Sequence, residues 1–164
     1  MGLGASNVAN FRTKLVDVDV ALTEAACAQN YVLSNFQSID VVSDVGAASS
    51  INGTINSIII IDKDDHGIQL DVLFSDKQTA PTLGTNNAAV SISDGDADTL
   101  IGRVDSGATY VDLINNKMVV PAPFTPIPFS TANGKLYVGA VNRGASTTWT
   151  AAAGITLRLG LTIE

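Results

Sequence analysis

Ile155-Thr156-Leu157-Arg158-Leu159-Gly160-Leu161-Thr162-Ile163-Glu164 alternates five aliphatic side chains with Thr, Arg, Gly, Thr and Glu, without a break. Successive side chains of a strand point to opposite faces, so this period of two predicts a half-buried strand with one apolar and one wet side. Burying Ile155, Leu157, Leu159, Leu161 and Ile163 contributes roughly 7–15 kcal/mol by area, an upper figure because unfolded chains already hide some surface. Such a strand belongs to the core of a β-sandwich and not to a dispensable tail.

The preceding residues follow the same grammar. Val16, Val18, Val20 and Leu22 alternate with Asp17, Asp19 and Ala21, giving a strand with one acidic face. Tyr31–Phe36 and Ser38–Val42 are short strand candidates, and Ile55–Ile61 is an apolar run of the kind covered on both faces. After a turn at Asp62–Gly67, Ile68, Leu70, Val72 and Phe74 alternate with other residues, so Ile55–Phe74 reads as a β-hairpin. Gly46–Gly53 and residues 76–87 read as loops, residues 23–30 as a loop or helical turn, and Ala88–Ile92 as another short strand.

Ser93-Asp94-Gly95-Asp96-Ala97-Asp98 puts carboxylates where a short helix leaves N–H groups free, with Gly102 positioned to close it. Arg103–Val104, Thr109–Ile114 and Lys135–Asn142 add strands, the last after an Asn133-Gly134 turn. Pro121, Pro123, Pro126 and Pro128, interleaved with Phe124, Ile127 and Phe129, fit an extended segment at a sheet edge. Gly144–Ala153 is a Thr- and Ala-rich link that holds Trp149. Many short strands with turn residues between them give an all-β antiparallel β-sandwich with at most one or two short helices. The jelly roll is its common eight-strand form. Residues 1–12 lack either period and read as an N-terminal arm, which leaves 13–164 as a single sandwich domain.

Of the 164 residues 46% are hydrophobic and only 15% charged, against about 25% charged in an average domain. Part of the exterior is therefore expected to be neutral and open to contact, as in an oligomer subunit. The net charge is −7 and the nine Lys and Arg residues are scattered singly, so there is no basic stripe to neutralise nucleic-acid phosphates. The longest aliphatic run, Ile58–Ile61, is far short of the ~20 residues a membrane helix needs. Met1–Asn10 has neither the basic start nor the apolar run of a signal peptide. The expectation is a soluble protein made in a reducing compartment, with no membrane or nucleic-acid partner. Cys27 is the single cysteine, so it forms neither an intrachain disulfide nor a thiolate cage and is expected to be a buried structural thiol.

Candidate chemistry is sparse. His66, the single histidine, would have to be the base of any Ser-His-Asp triad, yet it sits in the charged turn Asp62-Lys63-Asp64-Asp65-His66-Gly67 and no Ser lies in a Gly-x-Ser-x-Gly setting. It reads as a solvated turn residue. Asp62, Asp64, His66 and Gly67 match positions 1, 3, 5 and 6 of a calcium loop, but Leu73 stands where the bidentate Glu is required. Asp94, Asp96, Asp98 and Asp105 have similar spacing, with Thr99 in place of the essential Gly. Both runs read as turn and cap chemistry. A glycosidase carboxylate pair would want more stacking aromatics than one Trp and three Tyr, and the Gly2-x-Gly4 fragment follows no strand. The chain is therefore expected to be non-enzymatic, with no cofactor and no metal.

Three stretches taken together have a family likeness: Ile58-Ile59-Ile60-Ile61-Asp62-Lys63-Asp64, Leu70-Asp71-Val72-Leu73-Phe74-Ser75-Asp76, and Thr85-Asn86-Asn87-Ala88 through Asp94-Gly95-Asp96-Ala97-Asp98 to Leu100-Ile101-Gly102. With Leu136–Gly144 and the C-terminal strand, their order resembles that of capsid decoration (cement) proteins of tailed bacteriophages, over about residues 55–164. The resemblance implies a jelly-roll virion protein, made in the host cytoplasm, that sits on the capsid exterior. It would bind the major capsid protein, commonly as a homotrimer. Phe11, Arg12, Phe124 and Trp149 are aromatic or guanidinium side chains of the kind in which interfaces concentrate their energy, and they are the expected capsid or oligomer contacts. Two other readings share the fold: a carbohydrate- or calcium-dependent ligand-binding module, and a head- or tail-fibre domain.

An arm without periodicity contributes binding and not stability. Removing Met1–Asn10, or changing Phe11→Ala, is expected to weaken particle attachment and leave the melting temperature within a few degrees. Paired binding and melting measurements check this, and lost stability with unchanged binding would assign the arm to the fold.

Overall fold

The alternating C-terminal stretch lies in the middle of a sheet. A computed structural model of the chain describes residues 12–41 and 50–164. Among these it forms β1 (Arg12–Val20), β2 (Ala26–Cys27), β3 (Val32–Asp40), β4 (Ile51–Asp62), β5 (Leu70–Ser75), a helical turn α1 (Asp94–Ala97), β6 (Leu100–Asp105), β7 (Val111–Asp112), β8 (Lys117–Val119), β9 (Ile127–Thr131), β10 (Lys135–Asn142), β11 (Thr147–Thr148) and β12 (Ile155–Ile163).

Pairing is nested and antiparallel. The first strand pairs with the last (β1 with β12), β3 with β10, β4 with β8 and β9, and β5 with β6. That is one long folded ribbon. Rolling it up adds the contacts β12–β4 and β10–β5, and these close two sheets, β1-β12-β4-β8-β7 with β9 also along β4, and β3-β10-β5-β6. A rolled antiparallel ribbon of this connectivity is a jelly roll. The five alternating aliphatics of β12 are all buried and meet Ile55, Ile58 and Ile60 of β4, Val18 and Val20 of β1, and Leu70, Val72, Phe74, Leu136 and Val138 of the facing sheet in one core.

The expected β-hairpin over Ile55–Phe74 does not form: β4 and β5 lie in different sheets. Asp62 supplies the reason. Its buried carboxylate accepts the N–H groups of Asp64 (3.0 Å), His66 (3.0 Å) and Gly67 (2.7 Å), which curls the chain into an arch. Lys63 N–H donates to the Gly154 carbonyl (2.7 Å), and the Asp64 carboxylate accepts from Thr150 N–H (2.8 Å) and Oγ1 (3.1 Å). The arch is thus fastened to the link ahead of β12, and the next strand starts in the other layer.

Other boundaries move for tertiary reasons. The two short strands expected at Tyr31–Val42 are one, β3, while β4 begins at Ile51 inside the expected Gly46–Gly53 loop. Arg12, placed in the arm, opens β1 opposite Ile163. Residues 23–30 form no helix and contain β2, paired with β11. Thr109–Ile114 contributes only the two residues of β7. The expected short helix forms as a single turn, with the Ser93 hydroxyl as its cap, but Gly102 lies in β6 and does not close it. A Cβ at Gly102 would meet Ile127 atoms at 2.7–2.9 Å, so glycine there lets β6 approach β9 across the sandwich edge. Pro128 sits in β9 beside the N-terminal half of β4, the extended segment expected of the proline run.

Ala88–Ile92 is not a strand; Ala89 makes one isolated bridge to Tyr31. Instead Leu83, Val90 and Ile92 lie with Val32, Phe36, Tyr137 and Val141 in a second apolar cluster. The excursion between β5 and β6 therefore roofs the outer side of the β3-β10-β5-β6 sheet. This explains why Leu136–Asn142 is buried without alternation, as a strand covered on both faces must be.

Leu159→Ala is expected to cost about 2–5 kcal/mol, the range for truncating a fully buried leucine, and deleting Ile155–Glu164 is expected to abolish cooperative unfolding. Denaturant titration checks both; a truncated chain melting like the full one would show β12 to be peripheral.

Candidate functional site

The two sheets differ in what lies outside them. One is roofed by the excursion; the outer face of β1-β12-β4-β8-β7 has no such cover among the described residues. Residues directly opposed across strands share a face, so register defines the rows of this outer face. One row runs Val111, Met118, Ile61, Thr156, Asp19, and the next holds Ile59, Arg158 and Asp17. A third holds Ser57, Gly160 and Leu15. Val120, exposed and two residues beyond Met118, extends the apolar side. The β4-β8-β7 half of this face is aliphatic except at Ser57, and the β12-β1 half is polar except at the exposed Leu15.

Charge on this face is matched locally. Arg158 donates to both oxygens of Asp17 (2.7 and 2.8 Å), and Lys63 and the Thr156 hydroxyl both reach Asp19 Oδ1 (3.0 and 2.5 Å). The Arg158 hydrogen bond holds the Asp17 carboxyl below its usual range, and the Thr156 hydroxyl followed by Lys63 does so for Asp19. The unroofed face is therefore near neutral in a chain of net charge −7. Acidity collects on the roofing excursion, where Asp94, Asp96 and Asp98 crowd α1 and its C-cap and, among the described residues, only Asp96 has a cation, Lys77 at 3.3 Å.

Two features mark opposite edges of the open sheet. At the β7 edge, the turn into β8 is closed by Leu113 N–H to Asn116 O (2.8 Å) and by Ile114 N–H to Asp112 Oδ1 (2.7 Å). Ile114 has φ +80° and is 87% exposed. Left-handed backbone is costly for a β-branched residue, so an isoleucine at this tip opposes both local strain and solvation. At the β1 edge, Leu15 (73% exposed) walls a shallow hollow of about 450 Å³ with Thr13, Asn56, Gly160 and Thr162. The hollow depends on Gly160, since a Cβ there would collide with Ser57 Oγ.

The residues expected to make contacts do not converge. Phe11 lies outside the described residues. Arg12 is exposed at the start of β1, while Phe124, half-buried, lies at the opposite edge of the sheet in the wall of a cleft of about 350 Å³ shared with Arg103 and Ser106. Trp149 is a correction: it is buried in the core, its indole edge-on to the His66 ring at 4.9 Å, and it offers no surface to a partner. Large aromatic area is as useful to a core as to an interface, and the sequence does not separate the two.

The titratable residues that looked like chemistry are engaged in structure. His66 Nε2 lies 3.0 Å from the Thr148 carbonyl, so that nitrogen bears the proton and donates. The oxygens of Asp62 and Asp64 face the N–H and O–H donors described above, an arrangement that suits an arch and not a cation. Cys27 is buried, which pushes its thiol pKa up. The tip at Ile114 was missed; its one signal in the sequence is an adjacent aliphatic pair, Leu113-Ile114, in front of the turn residues Asn115-Asn116.

No protein-family model matches the chain, and no curated protein matches it.

Asp17, Asp19, Asp96 and Asp105 all sit below the ordinary carboxylate value of 3.8, the last chiefly through Gln69. Depressed folded-state values stabilise the fold fully above pH 3.8, and that contribution is lost as the pH falls through the lower folded values. Melting temperature is therefore expected to hold from neutrality to about pH 5 and to fall below pH 3.8, less steeply in Asp17→Asn. High salt should flatten the difference, because these pairs are exposed. A decline concentrated between pH 7 and 5 would contradict this assignment.

Proposed function

We propose that this chain is a non-enzymatic structural protein of a tailed-phage virion that decorates and stabilises the capsid by binding the major capsid protein. One observation carries the reading: a jelly roll in which, among the described residues, one neutral, partly aliphatic sheet face is left open and the opposite face is roofed by an acidic excursion. Contiguous apolar surface on a soluble domain marks an interaction site. Local charge matching removes the repulsion that a net charge of −7 would otherwise impose on docking. The open face lies against the shell through Ile59, Ile61, Met118 and Val120, and the acidic excursion faces solvent.

The reading also agrees with the placement of the motifs that resemble decoration proteins. The Asp-Lys-Asp turn is the Asp62 arch, and the acidic helix start is the Ser93-capped turn of the roof. Both act in building the sandwich, so they support the kind of fold, while the open face supports the attachment.

The test is co-sedimentation of the purified protein with capsids lacking it. Saturable, stoichiometric binding is expected, weakened at least tenfold by Val120→Asp with the melting temperature unchanged. Binding indifferent to Val120→Asp would remove the open face from the contact. A large rise in melting temperature on adding calcium, reversed by a chelator, would favour a ligand-binding module instead.

A further inference from the structure

We infer that the cleft between the end of β6 and the proline-rich segment ahead of β9 binds a neutral saccharide, its ring lying on Phe124 and its hydroxyls on Arg103 and Asp105. This goes beyond the proposed attachment to a shell. None of the residues lining the cleft belongs to the rows of the open face, so the two sites stand or fall separately.

The cleft, about 350 Å³, opens where the edge strand of the roofed sheet meets the segment that leads into the open sheet. That volume is at the lower end of those that hold small ligands and suits one or two sugar units. Arg103 is its most telling wall. Its Nη2 lies 2.7 Å from Oδ1 of the buried Asp71, yet no N–H is aligned on that oxygen, which has no hydrogen-bond partner. Asp105 Oδ2 is 3.7 Å from the same nitrogen, outside hydrogen-bond range. Charge therefore fixes the guanidinium in the wall, 57% exposed, while its N–H donors have no aligned acceptor among the described residues. A fork held in this way has already lost its conformational freedom and keeps its hydrogen-bonding capacity for a ligand.

Neighbouring groups select the ligand. A carboxylate has about four acceptor sites, and at Asp105 three are taken, by Gln69 Nε2 (2.8 and 3.0 Å) and by Gly107 N–H (2.8 Å). A free donor beside a free acceptor matches a hydroxyl, which accepts from one and donates to the other. The exposed Thr125 adds a second hydroxyl partner. The nearest charges cancel, Arg103 and Arg143 against Asp71 and Asp105. An anion thus finds no net positive field there, in a chain of net charge −7, and a cation meets the guanidinium. Phe124 is half-buried against the core, and its remaining surface lines the cleft, an apolar platform for the C–H face of a sugar ring. A hydroxyl-bearing edge and an apolar face on one neutral molecule describe a saccharide. With one platform in an open cleft, binding is weak, in the millimolar range.

The experiment is an amide NMR titration of the full chain with methyl α-glucoside, methyl β-galactoside, methyl α-mannoside and N-acetylglucosamine, each to about 50 mM. N-acetylneuraminic acid and glucosamine serve as anionic and cationic counterparts. At least one neutral sugar is expected to saturate, moving the amides of Asp105–Gly107 and Phe124–Thr125, and to bind at least tenfold more tightly than either charged sugar. Arg103→Lys keeps a charge on Asp71 but loses the fork; it is expected to weaken binding at least tenfold and to melt within a few degrees of wild type. Gly107→Asn separates binding from folding. Gly107 has φ +70°, which asparagine tolerates, and its Cβ would meet nothing within 4 Å, so the new side chain crowds the cleft without straining the fold. It is expected to weaken binding as much, at an unchanged melting temperature. Saturation by none of the neutral sugars, movement confined to amides away from the cleft, tighter binding of a charged sugar, or both variants binding like wild type would each overturn the inference. Capsid binding absent while a neutral sugar binds would instead overturn the proposed function and leave this site standing.

Discussion

The register of β12 between β1 and β4 holds the rest of the molecule in place. Because β12 pairs along its whole length with both neighbours, the first and last of the described strands are locked side by side, and every strand between them must fold back within that closure. Its inward residues fill the core, and its outward residues, Thr156, Arg158, Gly160 and Thr162, set the polar half of the open face. One strand therefore fixes the interior and the candidate contact surface together, since its period of two leaves no register in which only one of them changes.

Two buried carboxylates manage the turns that the rolled ribbon requires. Asp62 gathers three backbone N–H groups at the arch that sends the chain from one sheet to the other. Asp71, fully buried in β5, lies between Arg143 Nε at 2.5 Å and Arg103 Nη2 at 2.7 Å. Those arginines come from β6 and from the residue after β10, the two neighbours of β5, so the charge ties three strands at one end of the sheet. Removing one partner would leave a charge in the interior, which costs far more than the pair contributes. Such groups specify one arrangement of strands among many that would bury the same aliphatics.

The function proposed here depends on an asymmetry and not on a constellation of reactive groups. Among the described residues, one sheet is covered on both sides by the chain itself, and the other is covered on one side. The excursion that roofs the first also collects the acidic residues, and this leaves the second neutral and partly aliphatic. A contact surface of this kind is spread over rows of ordinary residues contributed by five strands, with the strained tip at Ile114 and the hollow at Gly160 as its two local irregularities.

The sequence by itself determined the all-β class, the core strand at 155–163, the edge placement of the proline run, the acidic start of the short helix and the lone buried cysteine, because each of these follows from local periodicity, backbone chemistry or composition. Tertiary structure decided which strands pair, so that Ile55–Phe74 became an arch between sheets and not a hairpin, and Ala88–Ile92 became part of a roof. It also decided that Trp149 is core and that Ile114 is surface. Periodicity reports which side of an element is apolar, but pairing is set by contacts between residues far apart in the chain. Whether an apolar side faces the core, a roof or the solvent depends on what the rest of the chain places over it.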